Sequence, residues 1–339
     1  MKRLSMIRSK GRAILLASAC GSLLAMGHAA GAATFTTFLV NGAAEMFPAA
    51  IDATNDVAGT WYDSGYVTHG FVRTSNGTLT SFDPTGSTGT NVHGMNNNQV
   101  IVGSFSDAGG THGFIRAADG TITVYDAPGS AGYTVITGID DSGAFAGSYS
   151  ASGNDYGFIV NAKGKFKSFG VTGQRYTEVT ALSAKGVTTG YENGDNGLHL
   201  FVRASDGTIT TFDVPHGNNP DADGVNKRGA VAGTSYKNYN SNSGRGFLRL
   251  SNGKTKTFQV VPGYETDGYA LNDQNMVCGN YYDSSGAYHG YIRAGTTTTT
   301  IDAPDSVGAT GCTAINDSGV VAGYFFDSSD VGNAYLRTP

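Results

Sequence analysis

The sequence predicts an all-β fold, and three observations carry the prediction. Fifty glycines and 11% aromatics stand beside few helix-favouring runs, a composition suited to many short strands joined by tight turns. An aromatic behind a small or polar pair recurs at Phe71, Phe114, Phe158, Phe201, Phe247, Tyr291 and Tyr335, at intervals of 43, 44, 43, 46, 44 and 44 residues. Each interval carries the signals of four short strands, and four antiparallel strands in about 40–45 residues is blade arithmetic. The expectation is therefore a seven-bladed β-propeller of four-stranded antiparallel blades, with a stacked-repeat solenoid as the other architecture the period allows.

The repeating unit can be written from two copies. The seventh runs Ala314-Ile315-Asn316-Asp317-Ser318-Gly319, then Val320-Val321-Ala322-Gly323-Tyr324-Phe325, a loop, and a strand through Tyr335. The second supplies His112-Gly113-Phe114-Ile115-Arg116, a turn at Asp119-Gly120, then Thr121-Ile122-Thr123-Val124-Tyr125-Asp126 and Pro128-Gly129. Asn, Asp and Gly mark the turns because they tolerate positive φ. If Asp119-Gly120 is a two-residue turn, Phe114 faces Tyr125 and Gly113 faces Asp126, which brings His112 near Asp126.

The ends of the chain complement each other. The seventh repeat stops at Arg337-Thr338-Pro339, after its third strand, while Thr34-Phe35-Thr36-Thr37-Phe38-Leu39-Val40 aligns with the fourth strand Thr208–Val214 of an interior repeat. Residues 34–42 are thus expected to supply the last blade's fourth strand and close the ring, hiding two sheet edges. The domain reading is residues 1–33 as a signal peptide and 34–339 as one seven-repeat domain.

Lys2, Arg3, Arg8, Lys10 and Arg12 form a basic start, Ala13–Met26 an apolar stretch, and Ala29-Ala30-Gly31-Ala32-Ala33 a small-residue segment. That is the pattern of an export signal cleaved near Ala32 or Ala33, and the apolar run is short for a ~30 Å hydrocarbon core. Leu16-Ala17-Ser18-Ala19-Cys20-Gly21 fits a lipoprotein signal poorly, with Ala17 where leucine stands. Beyond the signal, 17 Lys and Arg oppose 27 Asp and Glu, a balance of about −10. This argues against nucleic acid or an anionic membrane as partner and leaves carbohydrate or extracellular protein. The protein is expected outside the cytoplasm, extracellular or periplasmic, as a monomer. Cys278 and Cys312, the two cysteines of the exported part, lie in consecutive repeats, so a bridge between them and two free thiols both stay open.

His69-Gly70-Phe71, His112-Gly113-Phe114 and His289-Gly290-Tyr291, with Ile-Asn-Asp-Ser-Gly at 315–319 and Asp-x-Pro-Gly at 126–129, resemble the extracellular HAF-repeat family. Departures stand at Leu200, Arg245 and Asn333, and the third repeat has Val160 and Gly170 for the Arg and Asp. The resemblance implies an exported repeat protein and carries over no catalytic residues.

Residues that recur in most repeats read as scaffold. These are the His at 69, 112, 199 and 289, the Arg two places after the aromatic, and Asp83, Asp126, Asp213 and Asp302. Asp63, Asp107, Asp283 and Asp327 read as openers of Asx-turns, the other reading being a cation-binding arc. Calcium, which would want six to eight converging oxygens, is open without a supporting motif, and no other cofactor is indicated.

Residues that differ between repeats are the functional candidates. Aligned on Ile51, Met95, Ile139, Leu182, Val225, Leu271 and Ile315, the position four before reads Phe47, Asn91, Val135, Glu178, Asp221, Asp267 and Gly311. Glu178, Asp221 and Asp267 are therefore expected at equivalent points near one channel mouth. Asp223 and His93 sit two residues further along, on the same face by strand alternation. Such carboxylates could bind a cation or sugar hydroxyls; they equally suit a polar, water-filled channel. Trp61 and, in the longer insert of the fifth repeat, Tyr239 add aromatic surface. No metalloprotease, serine-hydrolase or phosphate-binding motif is present. The reading is a non-catalytic binding module for glycan or another extracellular macromolecule. The alternatives are a polysaccharide-acting hydrolase or lyase using the acidic mouth, and a structural surface or matrix protein.

Overall fold

In a computed structural model of the chain, residues 33–171, 175–194, 197–215, 217, 219–237 and 244–339 are described. The signal segment 1–32 and Tyr239 lie outside them. The first unit shows the plan: strands Glu45–Ile51, Val57–Tyr62, Thr68–Arg73 and Leu79–Phe82 pair antiparallel in chain order. Units 2 to 6, over 89–125, 134–169, 176–212, 219–258 and 266–301, repeat it. Unit 7 has Thr310–Ile315, Val321–Phe326 and Gly332–Thr338, and Thr34–Phe38 pairs antiparallel with the last of these. Among the described residues no helix is long and apolar enough to cross a membrane.

The third-to-fourth-strand turn holds three residues rather than two. Ala117 N–H donates to Thr121 O at 2.8 Å and Gly120, at φ 94°, donates to Ala117 O at 3.0 Å, a turn closed by a left-handed glycine. The register moves by one, so Gly113 pairs with Tyr125 and Phe114 with Val124. His112 then falls level with Asp126.

All seven first strands carry a bulge at the same place, for example between Ala222 and Gly224 in unit 5. The extra residue (Asp223, His93 and Tyr269 in their units) stands outside the register of the ladder. Simple alternation therefore does not hold from Asp221 to Asp223, because a bulge interrupts the pleat. The bulge also presses a carbonyl onto the facing strand. A Cβ at Gly233 would lie 1.9 Å from Asp221 O and 2.8 Å from the Phe247 ring. The glycine of the second strand is required by this close approach.

Neighbouring units are tied by side chains. The Asn that follows four of the seven first strands works twice. Asn316 Oδ1 accepts Ser318 N–H at 3.0 Å and Val320 N–H at 3.1 Å, while its Nδ2 donates to Asp52 O at 2.9 Å in the first unit. Asn96, Asn226 and Asn272 donate in the same way to Asp140, Asn272 and Asn316 carbonyls. Further out, Arg116 lies over Phe82 of the preceding unit at 4.9 Å, Arg203 over Phe169 at 4.9 Å, Arg249 over Phe212 at 4.5 Å and Arg293 over Phe258 at 4.6 Å. Arg73 makes the same contact with Phe38 at 5.0 Å, so Thr34–Phe38 stands to unit 1 as the fourth strands of units 1, 3, 4 and 5 stand to the units that follow them. First strands of successive units lie against one another, and that of unit 7 lies against that of unit 1. Cys278 and Cys312 are bonded across the unit 6–7 seam, with Cα atoms 5.9 Å apart.

Two outcomes follow. Asn316→Asp keeps the turn acceptor but removes the donor to Asp52 O, a loss of ~1–3 kcal/mol, read as a melting midpoint lower by roughly 2–10 °C. Deleting residues 34–40 strips the pairing from Gly332–Thr338 and the ring from Arg73, and the shortened protein should melt well below the intact one in calorimetry.

Candidate functional site

The registers place Glu178, Asp221 and Asp267 at equivalent points, opposite Tyr191, Thr234 and Asn280. Their surroundings differ. Glu178 accepts from the Tyr191 hydroxyl of its own unit. Asp267 is buried, 6% exposed, and accepts from Tyr236 Oη at 2.7 Å, from the preceding unit, and from Tyr269 Oη at 3.2 Å. Asp221 and Asp223 are half-buried. His93 sits on its bulge with Nε2 3.0 Å from Ser104 Oγ. Trp61 belongs to the packing: its indole stacks on His69 with centroids 4.4 Å apart and its Nε1–H donates to Ser81 Oγ at 2.8 Å.

Around Asp267 the structure gathers residues that sequence reasoning did not single out. Asn280, opposite it, donates through Nδ2 to Tyr288 Oη at 2.5 Å and accepts Cys312 N–H at 2.8 Å through Oδ1. The Tyr288 ring meets Tyr282 at 4.9 Å. Tyr324 meets Phe47 of unit 1 at 4.8 Å, and Phe47 meets Tyr62 at 5.9 Å. Burial raises the phenol of Tyr282 to about 12, with the Glu265 and Asp267 charges adding. Burial also raises Tyr236, with Asp267 next, and Tyr62, with Glu45 next. These tyrosines stay protonated hydroxyl donors at neutral pH. The signal that could have found them is the second-strand column Tyr62, Tyr236 and Tyr282, read beside the first-strand column. Together they make an arc of ring faces, hydroxyls and carboxylates from unit 5 to unit 1, suited to a ligand with both hydroxyls and apolar faces. Among the described residues no group of three or more His, Cys, Asp or Glu is arranged to hold a metal ion.

Three recurring histidines, His69, His112 and His289, each lie between two carboxylates. His112 Nδ1 is 2.9 Å from Asp126 Oδ1 and its Nε2 3.2 Å from Asp107 Oδ1. His69 and His289 repeat the arrangement. The turn aspartates also hold backbone: Asp63 Oδ1 accepts Gly65 N–H at 2.8 Å and Val67 N–H at 2.9 Å. In unit 7 Asn333 replaces the His and donates to Asp327 Oδ2 at 2.9 Å. The hydrogen bond to Asp126 raises the pKa of His112, burial opposing it and Asp107 adding. A raised folded pKa stabilises the protonated form. The contribution is complete below the unfolded value of about 6.5 and is lost as pH rises through the folded one. Melting curves from about pH 5 to 9 should show the difference between the intact protein and His112→Asn greatest at the acid end, and a pH-independent difference would exclude the linkage.

No protein-family model and no curated protein matches the chain. Solved structures do. A catalytically inactive virginiamycin B lyase from Staphylococcus aureus with quinupristin aligns over 91% of this chain and 99% of its own, at 12% identity and a TM-score of 0.60. The β-propeller domain of the Trilobed protease from Pyrococcus furiosus, described as having an open velcro topology, aligns over 86% and 95%, at 10% identity and 0.54. TolB from Acinetobacter baumannii aligns over 84% of this chain and 63% of its own, at 10% identity and 0.50. At such identities the likeness is one of fold: all-β and β-propeller-like, a scaffold that leaves function to the site grafted on it.

Proposed function

We propose that this chain is an exported HAF-type repeat protein, a seven-bladed ring closed by its N-terminal strand, that binds glycan or another extracellular macromolecule. The observation that carries the binding reading is Asp267, a buried carboxylate fixed by two tyrosine hydroxyls inside an arc of Phe47, Tyr62, Tyr282 and Tyr324. Ring faces of this kind cover the apolar C–H faces of a sugar while carboxylate and phenol groups exchange hydrogen bonds with its hydroxyls. The net acidity of the chain beyond its first 33 residues favours neutral or basic ligands over anionic ones. Closure is supported by Phe38, which serves Arg73 as Phe82 serves Arg116, and by the Asn316 amide on Asp52.

A glycan array followed by calorimetry, with and without calcium, tests the reading. Asp267→Asn and Tyr236→Phe should each weaken binding about tenfold, the scale of a lost hydrogen bond to a charged group, with the melting temperature monitored. Silence across glycans and extracellular matrix proteins would overturn it. Turnover of a polysaccharide that vanishes in Asp221→Asn and Asp267→Asn would favour the hydrolase or lyase instead.

A further inference from the structure

The repeat supplies a template for each seam; the third unit has Val160 in place of its arginine, and the seam between units 6 and 7 keeps the arginine without its ring. In five seams an arginine lies over the ring that ends the preceding unit's fourth strand, at 4.5–5.0 Å. Arg337 is the equivalent arginine of unit 7. The residue in the ring's place is Ile301, which pairs with Gly290 as Phe82 pairs with Gly70. A branched aliphatic presents no ring face, and among the described residues the Arg337 side chain has no hydrogen-bond, ion-pair or ring partner. Beside it a cleft of about 270 Å³ opens, lined by Arg337 together with Met276, Ile292, Ala294, Thr297 and Thr299. The carboxylate at its rim, Asp317, is already engaged by Asp273 N–H at 2.8 Å.

We infer that this cleft binds one aromatic ring, of a phenolic compound, laid against the Arg337 guanidinium in place of the missing side chain. Three features select that chemistry. The cation lacks the ring that its counterparts have, and cation–π attraction is specific for a π face. Met276, Ile292 and Ala294 in the lining offer methyl and methylene surface for the ring's other face. The volume suits a single substituted ring, since a cavity of ~150 Å³ holds benzene. The hydroxyls of Thr297, Thr299 and Ser318 line the cleft and can exchange a hydrogen bond with a phenol. The cleft lies at the turn end of the strands, away from Asp267, so the inference is independent of the binding reading above.

Ligand-observed NMR and calorimetry with p-cresol, 4-methylcyclohexanol and N-acetyltyrosinamide test it on the whole protein. Saturable p-cresol binding is expected, with the saturated analogue ~3- to 30-fold weaker for want of a π face. Ile301→Phe restores the ring found in the other seams and should abolish binding. Thr299→Trp, at an exposed strand position, blocks the cleft and should do the same should the buried phenylalanine impair folding. Arg337→Met should weaken p-cresol to the level of its saturated analogue. N-acetyltyrosinamide binding as tightly as p-cresol would assign the ring to a protein side chain, and its exclusion would assign it to a free phenol. Equal affinity for the saturated analogue, no saturable binding, or p-cresol binding that survives both Ile301→Phe and Thr299→Trp would each overturn the assignment.

Discussion

The side-chain amide that follows four of the seven first strands is the interaction on which the arrangement of units depends. A four-stranded antiparallel sheet of this length is marginal alone and must bury both faces against neighbours. Asn316 closes its own turn through one end of its amide and holds the next unit's backbone through the other. Local chain reversal and long-range assembly are thus satisfied by one planar group. Where the position is Asp or Ser, as at Asp52, Asp140 and Ser183, no amide donor exists, and other contacts hold the seam. Ala53 N–H donates to Asn97 Oδ1 at 2.8 Å across the first of these, and Val179 N–H to Ser148 Oγ at 2.8 Å across the seam into unit 4.

Fixing the seams positions the chemistry. The bulge in each first strand shifts the ladder register by one residue and drives a carbonyl against the second-strand glycine. The residue that owns this carbonyl is Glu178, Asp221 or Asp267 in its unit. The same backbone device thus delivers three carboxylates to matching points, and their neighbours then make them different. Glu178 meets a tyrosine of its own second strand, whereas Asp267 meets Tyr236 from the preceding unit. The rim opposite is governed by a different exchange, arginine on a ring in five seams and a disulfide with an aliphatic contact between units 6 and 7.

The repeating chemistry was largely legible in the amino-acid order. The turn role of Asp63 and Asp107 followed from Asx geometry, and the scaffold role of the His and Arg columns from their recurrence. The His112–Asp126 contact was foreseen through a register one residue out, because a turn of three residues with a left-handed glycine carries the same Asp-Gly signature as one of two. Trp61 read as ligand surface because a tryptophan near a loop exposes polar and apolar parts alike. Its stacking on His69 could not be read without knowing that strand alternation turns it toward the third strand.

The sequence by itself determined the period, the four strands per unit, the turn residues and the match of Thr34–Phe38 to a fourth strand, because these are local patterns of backbone preference and side-chain alternation. Tertiary structure decided which equivalent positions become a site. Residues in one column are interchangeable along the chain, while a side chain that reaches one of them can come from the neighbouring unit, as Tyr236 reaches Asp267. Asp267 gains Tyr236, and Arg337 lacks its ring, only at seams that the strand order brings together.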